Sequence, residues 1–186
     1  MQAEDRLSEW MGRYQRGDGE VLGELYREVA PGMLNYIYRF VRDRALAEDL
    51  LQEVFLRVRK VRHTYRPDSP AKPWLFAIAR YVAIDALRKK GRRREVAYQN
   101  GLVNTRSPDA LEQTERSESM EQVERALDGL PGGQREAFVL TKVAGLSVQE
   151  ASAVLGISKG AIKVRVHRAL GAMRGLLRPN EGEGNA

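Results

Sequence analysis

Residues 147–174 read SVQEASAVLGISKGAIKVRVHRALGAMR and contain two periodic segments separated by a glycine. Glu150 follows Ser147 by three positions, which is the spacing of a capping box at the start of a helix. Gly156 can supply the positive φ of a tight turn, and Ser158 can cap the helix that follows. A short helix, a glycine turn and a longer basic helix together predict a helix-turn-helix.

The second helix of this motif has one apolar and one basic face. With Ile162 and Ala169 turned inward, a basic outward surface is left that suits a major groove and its phosphates. Its candidate DNA-binding residues are Lys159, Lys163, Val164, His167 and Arg168. An ordinary helical hairpin with a solvated basic face shows the same pattern, and His167 fits a surface histidine equally well.

The rest of the chain also has helical spacing, and no period-two alternation is sustained. The strongest apolar stripe starts at Leu46, while an earlier stripe is expected to break at Pro31-Gly32. A further helix runs from Trp74, with Pro73 in its first turn. The predicted fold class is all-α, with two small helical domains.

Charge divides the chain of 186 residues into three blocks, although its formal net charge is only +6. Residues 1–94 carry +7, residues 95–125 carry −4 and residues 126–186 carry +3. The acidic block is polar and contains turn dipeptides, which is typical of a flexible linker. We expect domains at 1–94 and 122–178, a linker at 95–121 and a disordered tail at 179–186; one domain with a long surface loop is the alternative.

Composition excludes several classes of protein. The chain has no cysteine, so it holds no disulfide, thiolate zinc site or cysteine nucleophile. No apolar run is long enough to span a membrane, and the charged start suggests no signal peptide. Its two histidines are far apart, and neither a Gly-rich phosphate loop nor a carboxylate cluster is present. We therefore expect a cytoplasmic protein that is not an enzyme and needs no cofactor or metal.

The helix that begins near Leu46 presents polar residues opposite its apolar stripe. Asp49, Gln52 and Glu53 share this outward face and form a candidate protein-binding surface. The alternative is that Glu48 and Asp49 lie in the first turn and only favour the helix dipole.

The helix from Trp74 has a second face that mixes cations with apolar groups. It leads into residues 88–94 (RKKGRRR), where six of seven residues are cationic. Proteins bind single-stranded nucleic acid with cations beside aromatic side chains. A solvated run of charges at a helix C-terminus has the same sequence pattern. The candidate DNA-binding residues are Arg80, Tyr81, Ile84, Arg88, Lys89, Lys90 and Arg92.

These segments together resemble a known family. Residues 47–55 (AEDLLQEVF) and 73–80 (PWLFAIAR) resemble region two of extracytoplasmic-function (ECF) sigma factors of bacterial RNA polymerase. Residues 130–177, with 160–169 (GAIKVRVHRA), resemble region four. The resemblance covers residues 5–94 and 122–177, nearly everything except the linker and tail.

The resemblance implies a dissociable polymerase subunit. Asp49, Gln52 and Glu53 would bind the clamp helices of the largest subunit, while the second domain meets the flap of the second-largest. The basic-aromatic helix would melt and read the minus-ten element of promoter DNA, and Lys163 and its neighbours would read the minus-thirty-five element. An anti-sigma factor, often membrane-bound in this family, would hold the free protein inactive. Localisation would be cytoplasmic and nucleoid-associated, or at the inner membrane when the chain is sequestered.

Two positions depart from the family pattern. Tyr81 stands where the family often has Asn, and Val164 where it often has Ser. Both changes bear on which bases are preferred rather than on the mechanism. The rival interpretations are a two-domain helix-turn-helix regulator, which leaves the surface around Asp49 unexplained, and an enzyme acting on nucleic acid.

Overall fold

The structure, a computed structural model, describes residues 3–99 and 118–177, and all regular structure within them is helical. The first domain contains α1 (Ala3–Gln15), α2 (Leu22–Val41), α3 (Arg44–Val61) and α4 (Ala71–Gln99), with a short 3₁₀ turn at Arg62–Thr64. The second domain contains α5 (Glu118–Asp128), α6 (Gly132–Phe138), a π-helical segment (Val139–Val143), α7 (Val148–Leu155) and α8 (Lys159–Leu177). The prediction of an all-α fold with two helical domains is confirmed.

The first domain is built around helices α2, α3 and α4, which contact one another, while α1 packs on α2 and α4. Each contributes its predicted apolar stripe to a common core. Met33, Ile37, Val54 and Leu75 are fully buried there. Burial of one such side chain stabilises the fold by about 1.5–3 kcal/mol. The apolar faces of α3 and α4 are therefore held toward the core, and their polar faces point outward.

Helix α2 does not break at Pro31-Gly32, and on this point the prediction was wrong. A single helix runs from Leu22 to Val41 with Pro31 inside it. Proline removes one backbone donor and is usually confined to helix starts. Here Val29 and Met33, on either side of it, are buried in the same core, and this packing outweighs the lost hydrogen bond.

The helix-turn-helix forms as its local signals predict. Ser147 and Glu150 make both hydrogen bonds of a capping box at the start of α7. Gly156 ends α7 with φ +65°, a left-handed conformation that favours glycine. The Ser158 hydroxyl accepts a hydrogen bond from the Ala161 amide at 3.1 Å and so caps α8.

The two domains pack against each other. The π-helical segment contacts α2, and α7 contacts α4. Val139, Leu140 and Ile162 belong to the same buried cluster as the core of the first domain. A second, smaller cluster holds α5 against α8 through Leu127, Leu130, Ala169 and others. The predicted linker and tail fall mainly on residues 100–117 and 178–186, which lie outside the described residues, so these boundaries stay predictions.

Candidate nucleic-acid interface

The outer face of α3 carries the first predicted surface. Asp49, Gln52 and Glu53 are all exposed and lie along one row of the helix. Leu56 continues this row and is 60% exposed. Leu56 was not among the predicted site residues, although a leucine outside the apolar stripe and in line with three polar residues was a usable signal.

The alternative explanation for these acids does not fit the helix boundaries. Helix α3 begins at Arg44, and its first turn contains no acidic residue. Asp43 is instead the acidic residue at the start of the helix, where its side chain accepts a hydrogen bond from the Leu46 amide at 2.9 Å. Asp49 lies in the second turn, where the helix dipole has little effect. The helix dipole therefore does not account for the exposed acids on this face.

The predicted face of α4 is partly exposed. Tyr81 is 52% exposed, Arg88 is exposed and Ile84 is half-buried. Arg57 of α3 places its guanidinium 4.0 Å from the centroid of the Tyr81 ring. This is a cation–π contact, in which a cation of α3 lies against the aromatic ring of α4. No spacing pattern predicted that Arg57 of α3 would contact Tyr81 of α4.

The basic end of α4 adjoins the acidic face of α3. Lys89 is exposed and donates a hydrogen bond to Asp85 at 2.8 Å, which raises the pKa of Lys89. The negative charge of Glu53 raises that pKa further. Lys90 is half-buried, and the side chain of Arg92 lies outside the described residues. The structure thus brings the two predicted surfaces of the first domain side by side.

Arg80 differs from its predicted neighbours because it faces the second domain. Its Nε atom donates to Oε1 of Glu136 in α6 at 2.8 Å. The same carboxylate oxygen accepts a hydrogen bond from the hydroxyl of Tyr36 at 3.1 Å. The hydrogen bond to Glu136 raises the pKa of Arg80. Burial, followed by the nearby carboxylate, raises the pKa of Tyr36 well above its usual range, so its hydroxyl stays protonated and donates.

Helix α8 presents its predicted face outward. Ile162, Ala169 and Met173 are buried on the opposite side. The five candidate residues are all exposed, and they are Lys159, Lys163, Val164, His167 and Arg168. Lys159 also donates to Gln149 of α7 at 2.9 Å, which links the two helices of the motif. A basic exposed face on the second helix of such a motif is the arrangement that enters a major groove.

Other kinds of site are not seen in the described part of the chain. Residues 3–99 and 118–177 contain no group of three or more His, Asp or Glu side chains that could hold a metal ion. Among those same residues, none of the helices is long and apolar enough to cross a membrane.

Two helical domains, a helix-turn-helix with an exposed basic face and a basic-aromatic helix beside an acidic one define a DNA-binding transcription protein. The Sigma-70 region 2 family model matches residues 25–93, and that of Sigma-70, region 4 matches residues 120–173. The RNA polymerase sigma factor CarQ of Myxococcus xanthus is 38% identical over 168 residues, which are 90% of this chain and 95% of that protein. The ECF RNA polymerase sigma factor SigX of Bacillus subtilis is 32% identical, over 81% of this chain and 80% of that protein.

Solved structures agree with this similarity. The sigma factor RpoE of Bartonella quintana, solved with the anti-sigma factor NepR, superposes with a TM-score of 0.69 at 28% identity, covering 86% of this chain and 98% of that one. CnrH, solved with the cytosolic domain of CnrY, superposes with a TM-score of 0.70 over 97% of this chain and 100% of that one, and at 24% identity it shows the shared fold alone.

The chain belongs to the ECF sigma factors of bacterial RNA polymerase. It is therefore an alternative sigma factor, which directs core polymerase to promoters, and its family is not a class of enzymes. This assignment replaces the rival interpretation as a stand-alone helix-turn-helix regulator.

Proposed function

We propose that the outer face of α3 is the surface through which this chain binds core polymerase. The observation that supports it is the exposed row of Asp49, Gln52 and Glu53, which ends in the exposed Leu56. The charged groups can steer a partner toward this surface. The exposed apolar side chain adds a small area that is buried on binding. The clamp helices of the largest subunit are the partner, with the flap of the second-largest subunit meeting the second domain.

The exposed face of α4 then holds the melted minus-ten element. Tyr81 offers a ring on which a base can stack, and Arg88 and the following cations neutralise the phosphates. Flipping a base out of a duplex costs a few kcal/mol, and stacking contributes about 1–3 kcal/mol, so the two are of similar size. Helix α8 reads the minus-thirty-five element through Lys163, Val164, His167 and Arg168. Val164 is 49% exposed and can contact a thymine methyl, but it cannot donate to a base edge.

An anti-sigma factor regulates the chain in this proposal. The sigma factor RpoE of Bartonella quintana, which is 28% identical to this chain, was solved in complex with the anti-sigma factor NepR. The chain would act on the nucleoid in the cytoplasm, and a membrane-bound partner would sequester it at the inner membrane.

One experiment tests the proposed function directly. Purified chain is added to core bacterial RNA polymerase with a library of promoter fragments, and initiation sites are sequenced. We expect initiation at a defined subset with shared minus-ten and minus-thirty-five elements. Absence of initiation, together with tight duplex binding by the chain alone, would contradict the proposal.

A further inference from the structure

The side chain of Glu136 is enclosed between the two domains. It is only 13% exposed, and its Oε1 atom accepts hydrogen bonds from Arg80 and Tyr36, both in the first domain. A carboxylate so shielded from water depends on these donors, because a buried charge without partners is strongly destabilising. The pair of Arg80 and Glu136 is therefore a specific contact between the domains.

Other contacts hold the domains together around this pair. Lys72 of α4 donates to the Gly145 carbonyl at 2.8 Å. Arg42, which follows α2, forms an ion pair with Asp128 at the end of α5. A cavity of about 230 Å³ remains beside Glu136, lined by residues of both domains. The interface also buries Val139, Leu140 and Ile162 against the first domain. Opening it therefore exposes apolar surface to water, so the open form is the less populated one.

This closed arrangement leaves most of the proposed contact surfaces accessible. Asp49, Tyr81 and Lys163 are all exposed in it. Arg80 is different: its side chain is 34% exposed, and its Nε atom is engaged by Glu136. Among the described residues proposed to touch promoter DNA, Arg80 is thus the one whose charge is already matched by an acid of the other domain.

We infer that Glu136 is an internal competitor of DNA for Arg80. A guanidinium binds carboxylates and phosphates through the same charge-assisted hydrogen bonds. In the chain without DNA, the Glu136 carboxylate takes the place that a backbone phosphate of the minus-ten element takes in the promoter complex. The inference rests on the proposed function, because it requires that Arg80 contacts the promoter.

The consequence is a thermodynamic coupling between domain opening and DNA binding. If only the open form offers Arg80 to DNA, the apparent affinity is lowered by the fraction of chain that is open. Polymerase or DNA that binds the open form better draws the equilibrium toward it. Binding of single strands by the free chain is thereby weakened before the chain joins polymerase.

The test uses Glu136→Gln, which keeps the shape of the side chain and removes its charge. Glu24→Gln is the matched control, because Glu24 accepts from Arg27 at 2.8 Å within α2 and bridges no domains. Since the chain has no cysteine, Arg59→Cys in α3 and Ala153→Cys in α7 provide two sites for fluorescent labels. Energy transfer between the labels reports domain opening, and titration with a labelled single strand carrying the selected minus-ten element reports binding.

We expect Glu136→Gln to lower the energy transfer and to tighten single-strand binding on the order of tenfold, the size of one hydrogen bond between charged groups. Glu24→Gln should leave both measurements at wild-type values. Circular dichroism verifies folding; if Glu136→Gln does not fold, Glu136→Asp, whose shorter carboxylate falls away from Arg80, should give the same two changes.

Equal transfer and equal affinity in the Glu136 and Glu24 variants would overturn the inference. Lower energy transfer without tighter single-strand binding would also overturn the inference. Glu136 would then hold the two domains together without competing with DNA. Initiation by the wild-type holoenzyme decides the proposed function separately, since that assay does not depend on Glu136.

Discussion

The guanidinium of Arg57 lies 4.0 Å from the centroid of the Tyr81 ring and joins the two helices that carry the proposed polymerase and DNA surfaces. Arg57 lies one turn after Glu53 on α3, and Tyr81 follows Arg80 on α4. The contact orients an aromatic ring that is 52% exposed. If α3 binds polymerase as proposed, that binding would also hold this ring in place relative to the melted strand.

Removing the Tyr81 ring should weaken promoter opening. We expect Tyr81→Ala to lower the equilibrium fraction of open complex on the order of tenfold, since stacking one base contributes about 1–3 kcal/mol. Tyr81→Phe, which keeps the ring, should lose much less. Permanganate reactivity of unpaired thymines in the reconstituted holoenzyme measures the open fraction. Equal reactivity in the Ala and Phe variants would show that the ring does not stack on DNA.

Loss of the exposed acids on α3 should weaken binding to core polymerase. We expect Asp49→Ala combined with Glu53→Ala to raise the dissociation constant by about tenfold or more, because charged contacts at interfaces each contribute on the order of 1 kcal/mol or more. The control is Glu9→Ala with Glu20→Ala, which removes the same charge from exposed positions elsewhere in the first domain. Fluorescence anisotropy of labelled chain measures core affinity. A core affinity in the α3 double variant equal to that of its control would exclude this surface.

Local sequence signals predicted the helix-turn-helix. The features that were not predicted depend on contacts between residues far apart in the sequence. The capping box at Ser147 and the turn at Gly156 depend on residues within four positions, so pattern and structure agree. The partner of Arg80 lies 56 positions away at Glu136, and no spacing rule connects them. Helix α2 continues through Pro31 because tertiary burial on both sides outweighs a local preference. The sequence therefore indicated which faces are exposed, but not that Arg80 would face the other domain.

Lys163 should determine part of the minus-thirty-five preference. Lys163 is exposed on α8, and Lys163→Ala should alter the set of initiating promoters while leaving core affinity unchanged. If Lys163 also neutralises a phosphate, the salt dependence of duplex binding should fall by about one unit of slope. Lys142→Ala removes another exposed cation of the same domain outside α8 and serves as the control. A promoter profile identical to wild type in the Lys163 variant would refute base readout by this residue.

The turn of the helix-turn-helix should be sensitive to the loss of Gly156. Its φ of +65° is left-handed, so Gly156→Ala forces a side chain into a backbone conformation that costs about 1–2 kcal/mol. Gly171→Ala is the matched control, because Gly171 lies within α8 and an added Cβ would meet no other atom within 4 Å. That change should stabilise the helix by up to about 1 kcal/mol. Urea unfolding of the full chain, followed by circular dichroism, measures both free energies of unfolding. A stabilising Gly156→Ala would show that the turn does not require the left-handed residue.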